Sequence, residues 1–224
     1  MEQLSARINS LPVSETLAMA AKARELKNQG IDIIGLSLGE PDFNTPEFIK
    51  DAAIQAVKDN WNSYSPVDGY ADLKEAICQK FKRDNGLDYK PSQVVVSTGA
   101  KQSIANLCMV LLDPGDEVLL PAPYWVSYSA IATLAEAKSI IIPSSIETDF
   151  KITPEQLEAA ITPKTKLIMF NSPNNPSGTI YTEAEYRALG KVLEKHTDIY
   201  ILSDEIYEHI NYGTAHFSIA AIPR

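Results

Sequence analysis

Four short segments of this 224-residue chain hold most of the residues able to do chemistry. Thr98-Gly99-Ala100-Lys101 is a small-residue turn entering a helix pattern, so its backbone N–H groups can receive an anion such as a phosphate. Pro121-Ala122-Pro123-Tyr124-Trp125 sets two aromatics after an apolar run, and Trp125 offers a face for stacking on a flat ring. Ser172-Pro173-Asn174-Asn175-Pro176-Ser177-Gly178 is a stiff, non-helical loop with two side-chain amides that can aim hydrogen bonds at a ligand. Asp204 follows the apolar run Tyr200-Ile201-Leu202. A carboxylate at the end of a buried strand calls for a cation or several donors, and a protonated ring nitrogen would serve. Tyr207, three residues on, shares that side if the turn is helical.

Each segment also has an ordinary structural reading. The Gly99 turn is neither a Walker loop nor a dinucleotide fingerprint, and alone it is equally a plain strand-to-helix turn. A lone Trp is commonly a core residue, the Ser172–Gly178 run is rich in turn formers, and an Asp in the position of Asp204 can cap a helix or form a salt bridge. His196, His209 and His216 show no metal-ligand spacing and read as surface or structural, so no metal site is expected. Cys78 and Cys108 lack any CxxC spacing and read as buried, reduced thiols.

Helices and strands alternate from about residue 45 onward, and the alternation says how these segments are held. Thr45-Pro46-Glu47 predicts a capped helix start, 71–85 a second helix stopped by Gly86, and Gln93-Val94-Val95-Val96-Ser97 a short buried strand. Further strands are predicted over 117–121, 138–143, 166–171 and 199–202, with helices over 103–112, 125–134 and 154–161 between them. Thr182 with Glu185 predicts a capping box opening a helix to His196. Apolar strands separated by helices give an α/β fold, a mostly parallel sheet flanked by helices. In such sheets ligands bind beyond the carboxyl ends of the strands, where all four segments lie. The first 45 residues differ: Ser14 can cap a helix ending near Gly30, followed by an extended stretch. The expected division is therefore an N-terminal arm and small-domain segment over 1–45 and a large domain over 46–224.

Composition bounds the function. The chain is 45% hydrophobic and 22% charged, enough apolar side chain for a sizeable core. Its net charge of -9, from 20 basic and 29 acidic residues, disfavours nucleic acid and anionic membranes as partners. No apolar run reaches membrane-spanning length and the start has no signal-peptide h-region, so a cytoplasmic location is expected.

Taken together and in order, the loops resemble the class I aminotransferases, the fold-type I enzymes that use pyridoxal 5'-phosphate. The resemblance is carried by Gly39-Glu40-Pro41-Asp42-Phe43, Tyr64-Ser65-Pro66, Ser97-Thr98-Gly99-Ala100-Lys101-Gln102, Pro123-Tyr124-Trp125, Ser172–Gly178 and Ser203-Asp204-Glu205-Ile206-Tyr207. It runs through nearly the whole chain and is most similar to bacterial aspartate aminotransferases. It implies that Gly99, Ala100 and Lys101 lie at the cofactor phosphate and that Trp125 stacks on the pyridine ring. It also implies that Asn175 and Tyr207 bond the ring hydroxyl oxygen and that Asp204 pairs with the ring nitrogen. Tyr64 would reach the phosphate of a neighbouring subunit, implying a homodimer, while Gly39, Trp125 and Asn175 would touch the amino-acid substrate. The implied reaction moves an amino group between an amino acid, aspartate or glutamate, and a 2-oxo acid.

Two departures qualify the resemblance. The family's Schiff-base lysine would lie about ten residues beyond Arg224, so the large domain is expected to be incomplete at its C-terminus and the isolated chain inactive. Pro12 stands near where some relatives carry a lysine linked to accepting prephenate, so that activity is not implied. Readings from other classes remain: a non-catalytic cofactor-binding remnant, a nucleotide-binding α/β domain, or a related pyridoxal-phosphate lyase.

Overall fold

A computed structural model describes residues 4–11, 15–36, 39 and 41–223. The chain divides into two compact units, one of Pro12–Pro66 and one of Met1–Leu11 with Val67–Arg224. The smaller unit holds α2 (Glu15–Asn28) and α3 (Glu47–Lys58). Gly30 adopts φ +80° just beyond α2. Ser14 lies outside the described residues. The N-cap of α3 is Pro46, without a side-chain cap, rather than Thr45. No residue of α3 is buried, and it belongs to the smaller unit.

The larger unit begins with the short α1 (Ala6–Asn9) and resumes with α4 (Ala71–Lys80). A π-turn over Phe81–Asn85 continues α4, and Gly86, at φ +67°, stops it as the sequence predicts. Residues 94–97 form no strand: Pro91–Gln93 is a 3-10 turn, Val95 is 69% exposed, and Val96 N–H donates to the Asp68 carbonyl. The β-branched run is extended, but a strand also needs a neighbour to complete a ladder, and none of the described residues supplies one.

Then comes the α/β core. After α5 (Ala100–Leu111) come β1 (Glu117–Pro121), α6 (Ser127–Leu134), β2 (Lys138–Ile142), α7 (Pro154–Ala160), β3 (Thr165–Asn171), α8 (Glu183–Leu193) and β4 (Tyr200–Asp204). The four strands are parallel in the order β2-β1-β3-β4. The Thr182–Glu185 capping box forms at α8, and Thr153 with Gln156 builds another at α7.

Strand alternation sorts the core into two layers. Val118, Leu120, Leu167, Met169 and Leu202 pack with Ile104 and Cys108 of α5 and Tyr128 and Ile131 of α6. Leu119, Ile168 and Phe170 pack on the other face with Leu157 of α7 and Tyr186, Leu189 and Leu193 of α8. Helices therefore cover both faces, which is why the strands read as continuous apolar runs. Each fully buried Leu or Ile contributes about 1.5–3 kcal/mol. The chain moves from β1 outward to β2, then crosses back to β3 and β4. The winding reverses between β1 and β3, and the crevice at their carboxyl ends is where such folds bind ligands. Among the described residues no helix is long and apolar enough to cross a membrane.

Candidate functional site

The segments leaving β1, β3 and β4 meet at that reversal point, joined by α5, whose N-terminus opens on the same edge. Gly99 is the N-cap of α5 at φ +85° and ψ 160°, backbone that essentially only glycine adopts. A Cβ there would meet nothing within 4 Å, so conformation rather than crowding requires the glycine. Thr98 N–H donates to Gln102 Oε1 at 2.5 Å, and Gln102 and Ser103 N–H donate back to the Gly99 carbonyl. The first N–H groups of α5, at Ala100 and Lys101, remain at the helix's positive end, suited to an anion.

From α5 a chain of contacts runs through the site. The Lys101 ammonium lies 4.8 Å from the centre of the Trp125 ring, within cation–π reach. Trp125 meets Tyr128 edge to face, with ring centres 5.5 Å apart. The Tyr128 hydroxyl donates to Asp204 Oδ2 at 2.7 Å. Burial, then the Asp204 charge and this hydrogen bond, hold the Tyr128 phenol far above its ordinary pKa, so it stays a donor. Asp204 is buried at the last position of β4, and Ile206 N–H donates to its Oδ1 at 3.2 Å.

On the β3 side, Asn171 is the register partner of Asp204. Its amide donates to the Asp204 carbonyl at 2.9 Å, and its oxygen accepts from Asn175 N–H at 2.7 Å. Asn171 thus ties the Ser172–Gly178 loop to the end of β4. The two amides the sequence left equivalent then separate. Asn174 is consumed locally, donating to the Pro123 carbonyl and accepting from Ser177. Asn175 instead points its amide at the Tyr207 hydroxyl, a long contact of 3.4 Å. The peptide bonds preceding Pro123, Pro173 and Pro176 are cis.

The structure thus gathers Gly99, Ala100, Lys101, Trp125, Asn175, Asp204 and Tyr207 at one sheet edge. Gly39 and Tyr64 belong to the smaller unit, where both are exposed, Tyr64 completely. Tyr128 was missed by sequence reasoning. Its signal was a single phenol in α6, three residues after Trp125, since a buried Tyr hydroxyl normally finds a partner.

Other features lie elsewhere. A cavity of about 300 Å³ opens beside β4 among Tyr89, Gly190, Leu193, Tyr200 and Ile222, and none of the candidate site residues lines it. Asp84, Glu208 and His209 approach within 4.8 Å of one another, but Lys80 already pairs with Glu208 and Arg83 with Asp84. Of the other histidines, His196 faces Glu158 at 3.4 Å and His216 faces Glu205 at 2.9 Å.

Known proteins resemble this chain closely. The family model for aminotransferase class I and II matches residues 31–223. A Nitrosomonas europaea protein named aspartate/prephenate aminotransferase is 53% identical over 208 residues, covering 93% of this chain and 52% of that protein. The Bacillus subtilis aspartate aminotransferase is 52% identical over 221 residues, covering 98% and 56% respectively. The crystal structure of the aspartate aminotransferase from Rhizobium meliloti superposes with a TM-score of 0.95 at 46% identity, covering 98% of this chain and 55% of that one. The chain thus spans about half the length of the curated relatives it matches. A parallel sheet with its polar residues gathered at the winding reversal, and identity above one half to named family members, lead to one conclusion: the chain belongs to the class I and II aminotransferases.

Proposed function

We propose that this chain forms the cofactor-holding part of an enzyme that moves an amino group between an amino acid, aspartate or glutamate, and a 2-oxo acid. Pyridoxal 5'-phosphate is the cofactor in this reading, and when bound it serves as an electron sink for the carbanion left as the α-proton departs. The donor set fits that group. An anionic phosphate suits the N-terminus of α5 at Gly99, Ala100 and Lys101. Trp125 would stack on the ring, and Asn175 and Tyr207 would bond its hydroxyl oxygen. Gly39, Trp125 and Asn175 would touch the amino acid.

The observation that carries this reading is Asp204, a buried carboxylate held by Tyr128 and the Ile206 amide at the carboxyl end of β4. A buried carboxylate met by two donors still favours a cation, and a protonated ring nitrogen supplies one. Asp204 would hold the proton on that nitrogen. The reading includes a homodimer, with Tyr64 reaching the phosphate of the neighbouring subunit, and a cytoplasmic location. Pro12, which bears on prephenate, lies outside the described residues.

The test is titration of the folded chain with pyridoxal 5'-phosphate, followed by quenching of tryptophan fluorescence. Saturable quenching is expected, lost largely in Trp125→Phe and weakened about ten-fold or more in Asp204→Ala. A folded chain that shows no saturable binding, or binds equally well without the Asp204 carboxylate, overturns the reading. Incubation with aspartate and 2-oxoglutarate then measures amino transfer, for which the isolated chain is expected to show no turnover above free cofactor.

A further inference from the structure

The segment after β4 follows directly on Asp204 and carries Tyr207, but several of its apolar side chains are left in the open. Ile206, Ile210 and Tyr212 are 60%, 50% and 100% exposed. Within it, backbone bonds join only near neighbours, Glu208 N–H to the Glu205 carbonyl and Ile210 N–H to the Tyr207 carbonyl. Two carboxylates tie it down: Glu208, to Lys80 and Asn85, and, next to Asp204, Glu205. Its Oε1 accepts from the Ser203 and Ser218 hydroxyls, each at 2.7 Å, and its Oε2 faces His216 Nε2 at 2.9 Å. The His216 side chain is 7% exposed and that of Glu205 18%.

Among the described residues, this carboxylate is the hydrogen-bond partner of the His216 ring. A carboxylate only accepts, so Nε2 carries the proton, while Nδ1 is buried without a partner among the described residues. A buried ring nitrogen left unsatisfied costs free energy, so an arrangement that keeps it calls for an explanation. Strand alternation puts Ser203 and Asp204 on opposite faces of β4, so the clasp backs Asp204 from behind. The link between them is direct: Ile206 N–H, which donates to Asp204 Oδ1, belongs to the residue after Glu205.

We propose that Glu205, clasped by His216, Ser203 and Ser218, is a positioning residue that aims the Asp204 carboxylate at the cofactor ring nitrogen; this rests on the reading of Asp204 above. The clasp sets the chain direction at 205–206. That direction sets where the Ile206 amide holds Oδ1, and two residues on it sets where Tyr207 meets Asn175. The clasp itself touches no cofactor.

The test compares the full chain with Glu205→Gln, which keeps the size and one acceptor oxygen for the two serine hydroxyls while its amide can donate to His216 Nε2 in the other ring tautomer, and with Glu205→Ala and Ser218→Ala. Each is titrated with pyridoxal 5'-phosphate and with its 1-deaza analogue, in which C–H replaces the ring nitrogen. Wild type should prefer the natural cofactor, and Glu205→Ala should lose about ten-fold of that preference, the scale of one misdirected charge-assisted bond, while Glu205→Gln retains most of it. A merely structural role would weaken both ligands alike and leave the ratio unchanged, and that result overturns the proposal. A wild-type chain that binds the cofactor without preferring it overturns the reading of Asp204 instead. Amide hydrogen exchange of the ligand-free chain judges the clasp separately. Ile206 and Tyr207 should exchange about ten-fold faster in Glu205→Ala, with β3 unaffected, and unchanged exchange there refutes the clasp.

Discussion

The Tyr128 hydroxyl donates to Asp204 Oδ2 across 2.7 Å in the core, joining the first turn of α6 to the last residue of β4. Both side chains are buried, so water cannot readily replace either partner. Trp125 stands against the same Tyr128 ring. Tyr128 thereby couples the stacking aromatic to the carboxylate, although it sits behind both.

Tyr128→Phe keeps the ring packing and removes only this bond. It should cost about 1–3 kcal/mol of stability, because a charged acceptor loses its buried donor. It should also weaken pyridoxal 5'-phosphate binding in the same direction as Asp204→Ala, but less. Urea unfolding midpoints and the fluorescence titration measure the two effects. A neutral result in both would mean that the Ile206 amide alone orients Asp204.

Two glycines should respond differently to alanine. Gly99 sits at φ +85° with open space around the added Cβ, so Gly99→Ala should cost about 1–3 kcal/mol from backbone conformation alone. Gly69, at φ +100°, would also set its Cβ 2.5 Å from Val96 Cγ2 and 2.8 Å from Val96 Cβ. The Val96 Cβ is fixed to the backbone and cannot rotate away, so Gly69→Ala should be the more destabilising. Denaturant midpoints of the two variants, compared side by side, settle the order.

The positions of Trp125, Asn175 and Asp204 were legible because each follows an apolar run, and the helix–strand alternation places run ends at one sheet edge. What the alternation could not show was which neighbour each polar group would find. Tyr128 lies inside a helix pattern between two serines, and its partner is 76 positions away. Residues 94–97 mislead for a related reason: β-branched composition sets an extended backbone, but the ladder that makes a strand comes from elsewhere in the chain. Asn174 and Asn175 are indistinguishable by composition, and separate only because Ser177 and the Pro123 carbonyl occupy the first.

The thiols should differ sharply in reactivity. Cys108 is fully buried in the α5 layer, and burial pushes its thiol up to about 11. Cys78, on α4, is only partly buried. A thiol reagent such as dithionitrobenzoate should label Cys78 in the native chain and reach Cys108 only on unfolding. Equal, rapid labelling of both would show that the α5 layer opens under native conditions.

Glu208 gives the chain a pH dependence with a definite sign. Burial pushes its carboxyl upward, but hydrogen bonds from Lys80 and Asn85 and the Lys80 charge outweigh burial, leaving it below its ordinary value of 4.5. A carboxyl whose pKa is lower folded than unfolded stabilises the fold above the unfolded value and loses that contribution as pH falls through the folded value. Glu208→Gln should therefore cost about 1 kcal/mol near neutral pH, a modest figure because solvent still screens the pair. The cost should shrink once pH drops below about 4.5 and vanish at lower pH, where the native carboxyl is protonated too. Urea midpoints of wild type and variant across that range would show converging curves. Curves that stay parallel would mean that the Lys80–Glu208 pair adds nothing to the anchoring of the segment after β4.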